Sequence, residues 1–195
     1  METERWRAHR TTRPDPIAVA GAGALVLAVA AGWSDPLLLV LGRVVPGWAV
    51  GGVLLLGALV LFRTAAARNP PGAGRAVPRR VARGVLITGA ALGCALGALG
   101  ELGADYHVLS PTGPGGCTAV VREEAFLLAG SGEVYAVGPS GIAWGPSGSW
   151  RTDDGYRPVA RGTYELSWGP SDGALLVMGS SVDPVMDGLH GVDCG

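Results

Sequence analysis

Residues 79–102 read RRVARGVLITGAALGCALGALGEL, in which three arginines precede an apolar segment that carries no charge before Glu101. Arginine collects at the cytoplasmic ends of membrane helices and is scarce at their exported ends. A segment of this length can cross the hydrocarbon core as a helix. The stretch therefore predicts a transmembrane helix over residues 84–102 that runs from the cytoplasm to the exported side.

Two earlier apolar segments carry arginine on one flank. Residues 17–33 follow a basic N-terminus and would measure roughly 25 Å as a helix. Residues 44–62 precede an arginine-rich segment, 63–83. We predict that both cross the membrane, with residues 1–16 and the loop 63–83 in the cytoplasm. The alternative for the first segment is a cleaved signal peptide, since Ala28-Val29-Ala30 resembles a cleavage site; cleavage would leave the remaining topology unchanged.

The segment between the first two spans allows two interpretations. Asp35-Pro36 is a helix-start signal, and the apolar stretch after it is too long for one untilted span. Either a single tilted, kinked helix crosses, or residues 37–45 form a short piece at the exported interface. We favour the second, with Arg43 reaching the headgroups.

Charge divides the chain into two parts. Before residue 84 there are eleven arginines against four carboxylates, and after it four arginines against twelve carboxylates. An acidic C-terminal part excludes nucleic acid as its partner, because phosphate binding requires a basic surface. The chain has no lysine and no glutamine, a composition that indicates a GC-rich bacterial genome and hence a bacterial plasma membrane.

After residue 103 the apolar runs give way to short alternating stretches. We interpret residues 104–116 as a linker and 117–195 as an extracytoplasmic all-β domain, a small antiparallel sandwich or barrel. Residues 163–168 alternate apolar and polar side chains, as in a half-buried strand. We expect hairpin turns at residues 130–132 and 169–173.

Cys117 and Cys194 stand at the two ends of this predicted domain. A disulfide between them would stabilise the domain by about 4 kcal/mol through the loop that it closes. Disulfides form in oxidising compartments, so the pair agrees with the arginine pattern on an exported location. We expect Cys94, in the third span, to be free.

Gly89, Gly93 and Gly97 recur at intervals of four residues in the third span and lie along one helical face. Such a face allows another helix to approach closely. We interpret it as a helix-packing surface, either within the chain or between subunits.

The aromatic residues are the best candidates for binding. Trp144 and Trp150 each stand beside a Gly-Pro-Ser phrase and would form a stacking surface for a ligand, or else belong to the core. Trp168 shares a face with Tyr164 and Leu166, which favours a core position.

No catalytic or metal-binding motif withstands inspection, and we expect no cofactor. Ser171 lies in a Gly-x-Ser-x-Gly phrase, but strands flank it where a nucleophile elbow needs a strand and a helix. The acidic C-terminal segment with Asp183, Asp187 and His190 lacks a regular element that would align metal ligands.

The sequence thus predicts an integral membrane protein with three transmembrane helices, whose exported β domain is a binding, sensing or accessory module and not an enzyme. Its partners would be the lipid bilayer and another membrane or envelope protein. Two alternatives stay open. One is an exported hydrolase, which requires Ser171 or the carboxylates to converge with His107 or His190. The other is a structural subunit that docks through the third helix.

Overall fold

The computed structural model describes residues 15–34, 36–68 and 77–195. Most of the predicted N-terminal segment 1–16, the middle of the loop 63–83, and Asp35 lie outside the described residues. Three helices are long and apolar enough to cross a membrane: α1 (Pro16–Trp33), α2 (Gly47–Arg68) and α3 (Val77–Gly100). The prediction of three such helices is confirmed.

The three helices form a bundle in which each contacts the other two. α1 begins where expected, because the side chain of Asp15 accepts a hydrogen bond from the backbone N–H of Ile17 (3.0 Å) and proline occupies the first helical position. Small side chains dominate the bundle core and let the helix backbones approach closely. The fully buried residues of this core are Leu25, Ala28, Ala58 and Ala90.

The connection between α1 and α2 is a short piece outside both helices. It is a hairpin of β1 (Leu37–Val40) and β2 (Arg43–Pro46), and Arg43 is exposed on it. Leu41 and Gly42 both take positive φ, as a two-residue hairpin turn requires. β-branched valines and a strand partner from the C-terminal part explain why the segment is extended. As a result α2 begins at Gly47 and continues to Arg68, whereas the predicted span was 44–62.

The C-terminal part is all-β with antiparallel pairing throughout, as predicted. Its strands are β3 (Ala104–Val108), β4 (Thr118–Phe126), β5 (Ala129–Val137), β6 (Ile142–Ala143), β7 (Gly148–Asp153), β8 (Tyr164–Trp168), β9 (Gly173–Val177), β10 (Val185–Met186) and β11 (Leu189–Val192). A five-stranded sheet has the order β10-β7-β5-β4-β3, and a three-stranded sheet has the order β11-β9-β8. The β region begins at Ala104, inside the segment expected to be a linker.

The hairpin of β4 and β5 turns at Leu127-Leu128, and not at residues 130–132 as expected. The glycines in that phrase are needed for packing within β5. A Cβ on Gly132 would overlap the indole of Trp150, and one on Gly130 would overlap the hydroxyl of Thr152. Glycine here makes room for side chains of the neighbouring strand, an effect that sequence alone does not distinguish from a turn.

Two apolar cores hold the β region. The main core lies between the five-stranded and three-stranded sheets, which makes the region a sandwich; it includes Val121, Val134, Trp150, Leu175, Val177 and Val192. The second core lies between the opposite face of the five-stranded sheet and the β1–β2 hairpin; it includes Leu37, Val120, Tyr135, Val137 and Ala143. The predicted disulfide joins Cys117 to Cys194, and Cys94 is free.

The hairpin fixes the relation between helices and sheets. β1 pairs with β6, so the connection between α1 and α2 lies on the same side of the bundle as the β region. The ends of the helices at Trp33, Gly47 and Gly100 therefore adjoin the sheets, and we call them the sheet-side ends.

Candidate functional site

A cavity of about 470 Å³ lies at the junction of the sheet-side helix ends and the five-stranded sheet. All three helices and strands β3, β4 and β5 contribute side chains to its lining. Cavities of this size hold small organic ligands in many proteins, and junctions between structural units are common places for them. The cavity is therefore the candidate site, and its two walls differ in chemistry.

The helix wall is apolar and aromatic. Trp33 from α1 and Trp48 from α2 line it together with Leu96 of α3. The indole N–H of Trp33 donates to the backbone carbonyl of Gly89 (3.1 Å), whereas the buried indole nitrogen of Trp48 has no hydrogen-bond partner among the described residues. This wall offers two indole rings to an apolar ligand surface.

The sheet wall is built around one arginine. The guanidinium of Arg122 donates to the carboxylates of Glu101 (3.2 Å) and Glu124 (2.7 Å), and to the backbone carbonyl of Gly100 (2.8 Å) at the end of α3. Glu133 also lies 3.5 Å from the guanidinium. Three carboxylates thus surround one cation, and the formal charge of this group is negative.

Strand pairing puts these groups together. Arg122 on β4 lies directly between Tyr106 on β3 and Glu133 on β5, and alternate residues of a strand share one face. The contact of Arg122 with Gly100 and Glu101 shows that this face is turned toward the helices. Opposite charges paired across strands stabilise the sheet as well as lining the cavity.

Two tyrosines complete the wall. The hydroxyl of Tyr106 donates to Glu101 and that of Tyr135 donates to Glu133, each at 2.8 Å. Burial, reinforced by Glu101, raises the pKa of Tyr106, and burial, reinforced by Glu133, raises the pKa of Tyr135. Both phenols therefore stay neutral and keep donating to carboxylates.

The arginine keeps its charge despite being half-buried. Burial alone would lower the pKa of Arg122, but the attraction of Glu124 and Glu101 outweighs it and raises the pKa. Arg122 consequently stays charged, and the network is preorganised, with every oxygen-bearing side chain held by a named partner.

The tryptophans predicted to bind a ligand are separated. Trp150 is 2% exposed and belongs to the sandwich core, so its ring presents no surface. Trp144 is 78% exposed, directly after β6. They do not form one stacking surface, and neither lines the cavity. Trp168, expected in the core, is partly buried against it and donates to the carbonyl of Pro111 (2.8 Å).

The glycines of the third helix serve packing within the chain. A Cβ on Gly93 would lie 2.7 Å from the Trp33 indole nitrogen, and one on Gly97 would lie 2.7 Å from the Trp48 Cβ. Gly89 has open space at its Cβ position and accepts the Trp33 hydrogen bond through its carbonyl. Gly93 and Gly97 thus lie against α1 and α2, whereas the Cβ position of Gly89 is open.

Ser171 and the two histidines that the hydrolase alternative names each have a different carboxylate nearby. Ser171 is exposed and its hydroxyl contacts Asp172 (3.4 Å). His107 faces Glu123 (3.6 Å), and His190 is buried against the ring of Trp150, with the ring centroids 5.4 Å apart. Within residues 15–34, 36–68 and 77–195, no group of three or more His, Cys, Asp or Glu side chains is arranged to hold a metal.

Sequence reasoning missed the residues of the cavity. The sequence alone did not indicate Arg122, Glu124 or Glu101 as binding residues. Two spacings in the sequence could have indicated the site. Arg122 and Glu124 are two residues apart on one strand, and Glu133 and Tyr135 are two residues apart on the adjoining strand, so each pair shares a face of the sheet. The sequence does not show that this face of the five-stranded sheet is turned toward the helices.

Comparison of the chain with protein-family models, with curated proteins and with solved structures found no match.

Proposed function

We propose that this chain is an integral membrane protein whose exported β region is a binding or sensing module, and that the junction cavity is its ligand site. The cavity itself carries the proposal, because it joins an aromatic wall from the helices to an ionised wall from the sheet. A ligand there would touch both parts of the molecule at once. Binding would therefore couple the β region to the helices, as a sensing role requires.

The positions of the arginines support an orientation of the protein in the membrane. Arg63 and Arg68 at the end of α2, and Arg80 and Arg83 at the start of α3, lie at the ends of the helices away from the sheets. Because arginine marks cytoplasmic ends, we assign this side to the cytoplasm and the β region to the exported side. The Cys117–Cys194 disulfide supports the same assignment. The composition of the chain favours a bacterial plasma membrane.

The two walls indicate the class of ligand. Trp33, Trp48 and Leu96 favour an apolar or aromatic body, and an indole face also attracts cations. The carboxylates outnumber Arg122 on the other wall, so a positively charged group would improve the charge balance and an anion would worsen it. We therefore propose a small amphipathic cation, such as an amine on an aromatic or aliphatic body.

A binding role accounts for the polar groups better than catalysis does. Glu101, Glu124 and Glu133 are held by Arg122 or by a tyrosine, and no hydroxyl nucleophile of the described cavity lining has a histidine partner. Such a fixed network orients a ligand, whereas acid–base catalysis needs a group free to gain and lose a proton. We therefore propose that the protein is not an enzyme.

The test uses a matched pair of probes that differ in charge. The full chain is labelled with 5-fluorotryptophan in lipid nanodiscs, and its six tryptophan signals are assigned through single Trp→Phe variants. Titration with 4-phenylbutylamine should shift the ¹⁹F signals of Trp33 and Trp48 in a saturable manner, but not those of Trp144 or Trp168. Equal concentrations of 4-phenylbutyrate should leave all six unchanged.

A charge variant ties the response to the cavity. Glu133→Gln removes one carboxylate from the wall and should weaken binding of the amine about tenfold or more, since a partly buried charge pair contributes on the order of 1.5–3 kcal/mol. Glu165→Gln, on an exposed position of β8, is the matched control and should bind normally. Equal shifts with amine and acid, or equal binding by both variants, would refute the cationic-ligand site.

A further inference from the structure

The turn between β4 and β5 exposes three consecutive large apolar side chains. Phe126, Leu127 and Leu128 are 77%, 84% and 75% exposed. We call this segment the apolar tip. Three such residues in a row on the surface of a soluble domain would be an aggregation hazard, so their position in the fold needs an explanation.

Strand register puts the apolar tip beside the end of a membrane helix. β3 begins four residues after α3 ends, and β4 returns antiparallel to it, with Ala104 paired to Glu124. Phe126 is two residues farther along β4, in the direction from which α3 enters. A Cβ on Gly103 would lie 3.8 Å from the carbonyl oxygen of Ala125, which confirms that the base of the tip adjoins the last turn after α3.

The same face of the sheet that meets the helices also carries Phe126. Arg122, Glu124 and Phe126 alternate along β4, so they share a face, and the guanidinium of Arg122 contacts the end of α3. The distance from Arg122 to Phe126 is roughly 13 Å along the strand. Phe126 is therefore on the helix-facing side of the sheet, at the end of β4 that is nearer to α3.

The apolar tip lies near an exposed apolar surface of the third helix. Leu92 and Leu99 are exposed along α3, and Leu102, two residues beyond the end of the helix, has 74% of its side chain exposed. Gly103, the next residue, adjoins the base of the tip. Lipid around the end of α3 would therefore lie close to the tip.

We propose that the apolar tip rests in the interfacial region of the bilayer, against the lipids that surround the sheet-side end of α3. It would serve as a lipid contact additional to the three helices, and would hold the five-stranded sheet at a fixed tilt over the membrane. Interfacial segments of this kind enter the headgroup and upper acyl region only shallowly. The inference needs the three helices to span a membrane, but it depends neither on the orientation nor on a ligand in the cavity.

The backbone of Leu127 agrees with a role for its side chain. Its φ is +54°, a conformation that favours glycine or asparagine over a branched apolar residue. Glycine or a polar residue such as asparagine would make this turn more stable than leucine does. A leucine here is accounted for if its side chain is buried in lipid.

The test places a fluorescent reporter on the apolar tip in the full chain. Cys94→Ala removes the free cysteine, Leu127→Cys introduces one, and the new thiol is labelled with NBD without reduction of the disulfide. In nanodiscs, the label should emit as in an apolar environment and lose most of its fluorescence when 5-doxyl phosphatidylcholine is included. Quenching by 12-doxyl phosphatidylcholine should be weaker, because the tip is shallow.

Two controls make the result specific. A label at Leu189→Cys, which is equally apolar and 70% exposed on the other sheet, should show neither effect. Changing Phe126 and Leu128 to serine, with the label at position 127, should reduce the quenching while the disulfide still forms. A label that stays in water, or one shielded from water yet insensitive to doxyl lipid because protein covers it, would overturn the proposal.

Discussion

The helix bundle and the β sandwich of this chain are stabilised by different kinds of contact. The bundle core consists of alanines and a leucine, with glycines of α3 against Trp33 and Trp48. The sandwich core contains Trp150 and several aliphatic residues, and it also encloses Glu123 and His190. In lipid there is no hydrophobic driving force between helices, so their association depends on close packing. In water, a domain is stabilised by the burial of large apolar side chains, and here also by a disulfide.

The two halves of the chain should therefore be sensitive to different kinds of substitution. The sandwich should respond to loss of specific bonds, and the bundle should respond to added volume. A change of one kind in one half should leave the other half largely unaffected, apart from the residues that meet at the junction cavity. Four predictions test this division, beginning with the largest expected effect.

Removal of the disulfide should destabilise the sandwich most. The pair Cys117→Ser and Cys194→Ser opens a link across a sequence separation of 77 residues. On the loop-entropy model this lowers the free energy of unfolding of the β region by about 4 kcal/mol. Pulse proteolysis in urea, on protein in nanodiscs, measures the change. Cys94→Ser in the bundle is the control and should have little effect; equal losses for both would contradict the division.

Glu123 should be the most sensitive single residue of the sandwich. It is fully buried, and its two carboxylate oxygens accept hydrogen bonds from the backbone N–H groups of Val159 and Ala160, each at 2.8 Å. Glu123→Gln keeps only one acceptor and leaves a buried donor unsatisfied, so the free energy of unfolding should fall by about 2–3 kcal/mol.

The segment that Glu123 holds provides a local readout. Trypsin should cut after Arg161 faster in the Glu123→Gln variant, because the turn around Val159 loses its anchor. Glu165→Gln, an exposed carboxylate in the same region, is the comparison and should cut at the original rate. An unchanged rate in Glu123→Gln would show that the two hydrogen bonds do not hold this turn.

Added volume should disrupt the bundle. Gly93→Leu would put a side chain within 2.7 Å of the Trp33 indole nitrogen and 3.0 Å of the Gly32 carbonyl oxygen. Overpacking of this kind costs about 1–3 kcal/mol and should separate α1 from α3. The neighbouring Cys94 should then react faster with a maleimide, while urea unfolding of the sandwich stays the same. Gly89→Leu, with open space at its Cβ, is the matched control.

The membrane part of the fold could be predicted because its signals are local. An uncharged apolar run flanked by arginine, such as the one within residues 79–102, indicates a membrane span without reference to any other part of the chain. The disulfide was also predictable, since only two cysteines lie outside the third span. The alternating pattern after residue 103 correctly gave an antiparallel β region.

The parts that escaped prediction depend on contacts between distant segments. Residues 37–46 are a hairpin because β6, about a hundred residues later, provides a strand beside β1. Gly132 was predicted to lie in a turn because its packing partner, Trp150, is adjacent only in the folded sheet. Likewise the cavity combines Trp33, Arg122 and Glu133, none of which has a neighbour in sequence that reveals the site.

A buried histidine gives the smallest predicted effect and the sharpest contrast between the halves. Burial lowers the pKa of His190 below its usual value of 6.5, although nearby Asp187 partly offsets the shift. The folded state therefore holds His190 neutral, and the unfolded state binds the proton more readily. The stability that neutral His190 contributes is complete above pH 6.5 and is lost as the pH falls through the lower folded value.

The resistance of the sandwich to urea should accordingly decrease as the pH is lowered from about 7 to 5, where an ordinary histidine becomes charged. His190→Gln should make this dependence shallower, and His107, which both proteins retain, cancels in the comparison. The buried residues of the bundle core, Leu25, Ala28, Ala58 and Ala90, do not titrate, so the maleimide reactivity of Cys94, corrected for thiol ionisation, should not follow the same curve. A pH dependence that is identical in the His190→Gln variant would mean that the sandwich does not enclose a neutral histidine, and the proposed contrast between the two cores would lose its electrostatic part.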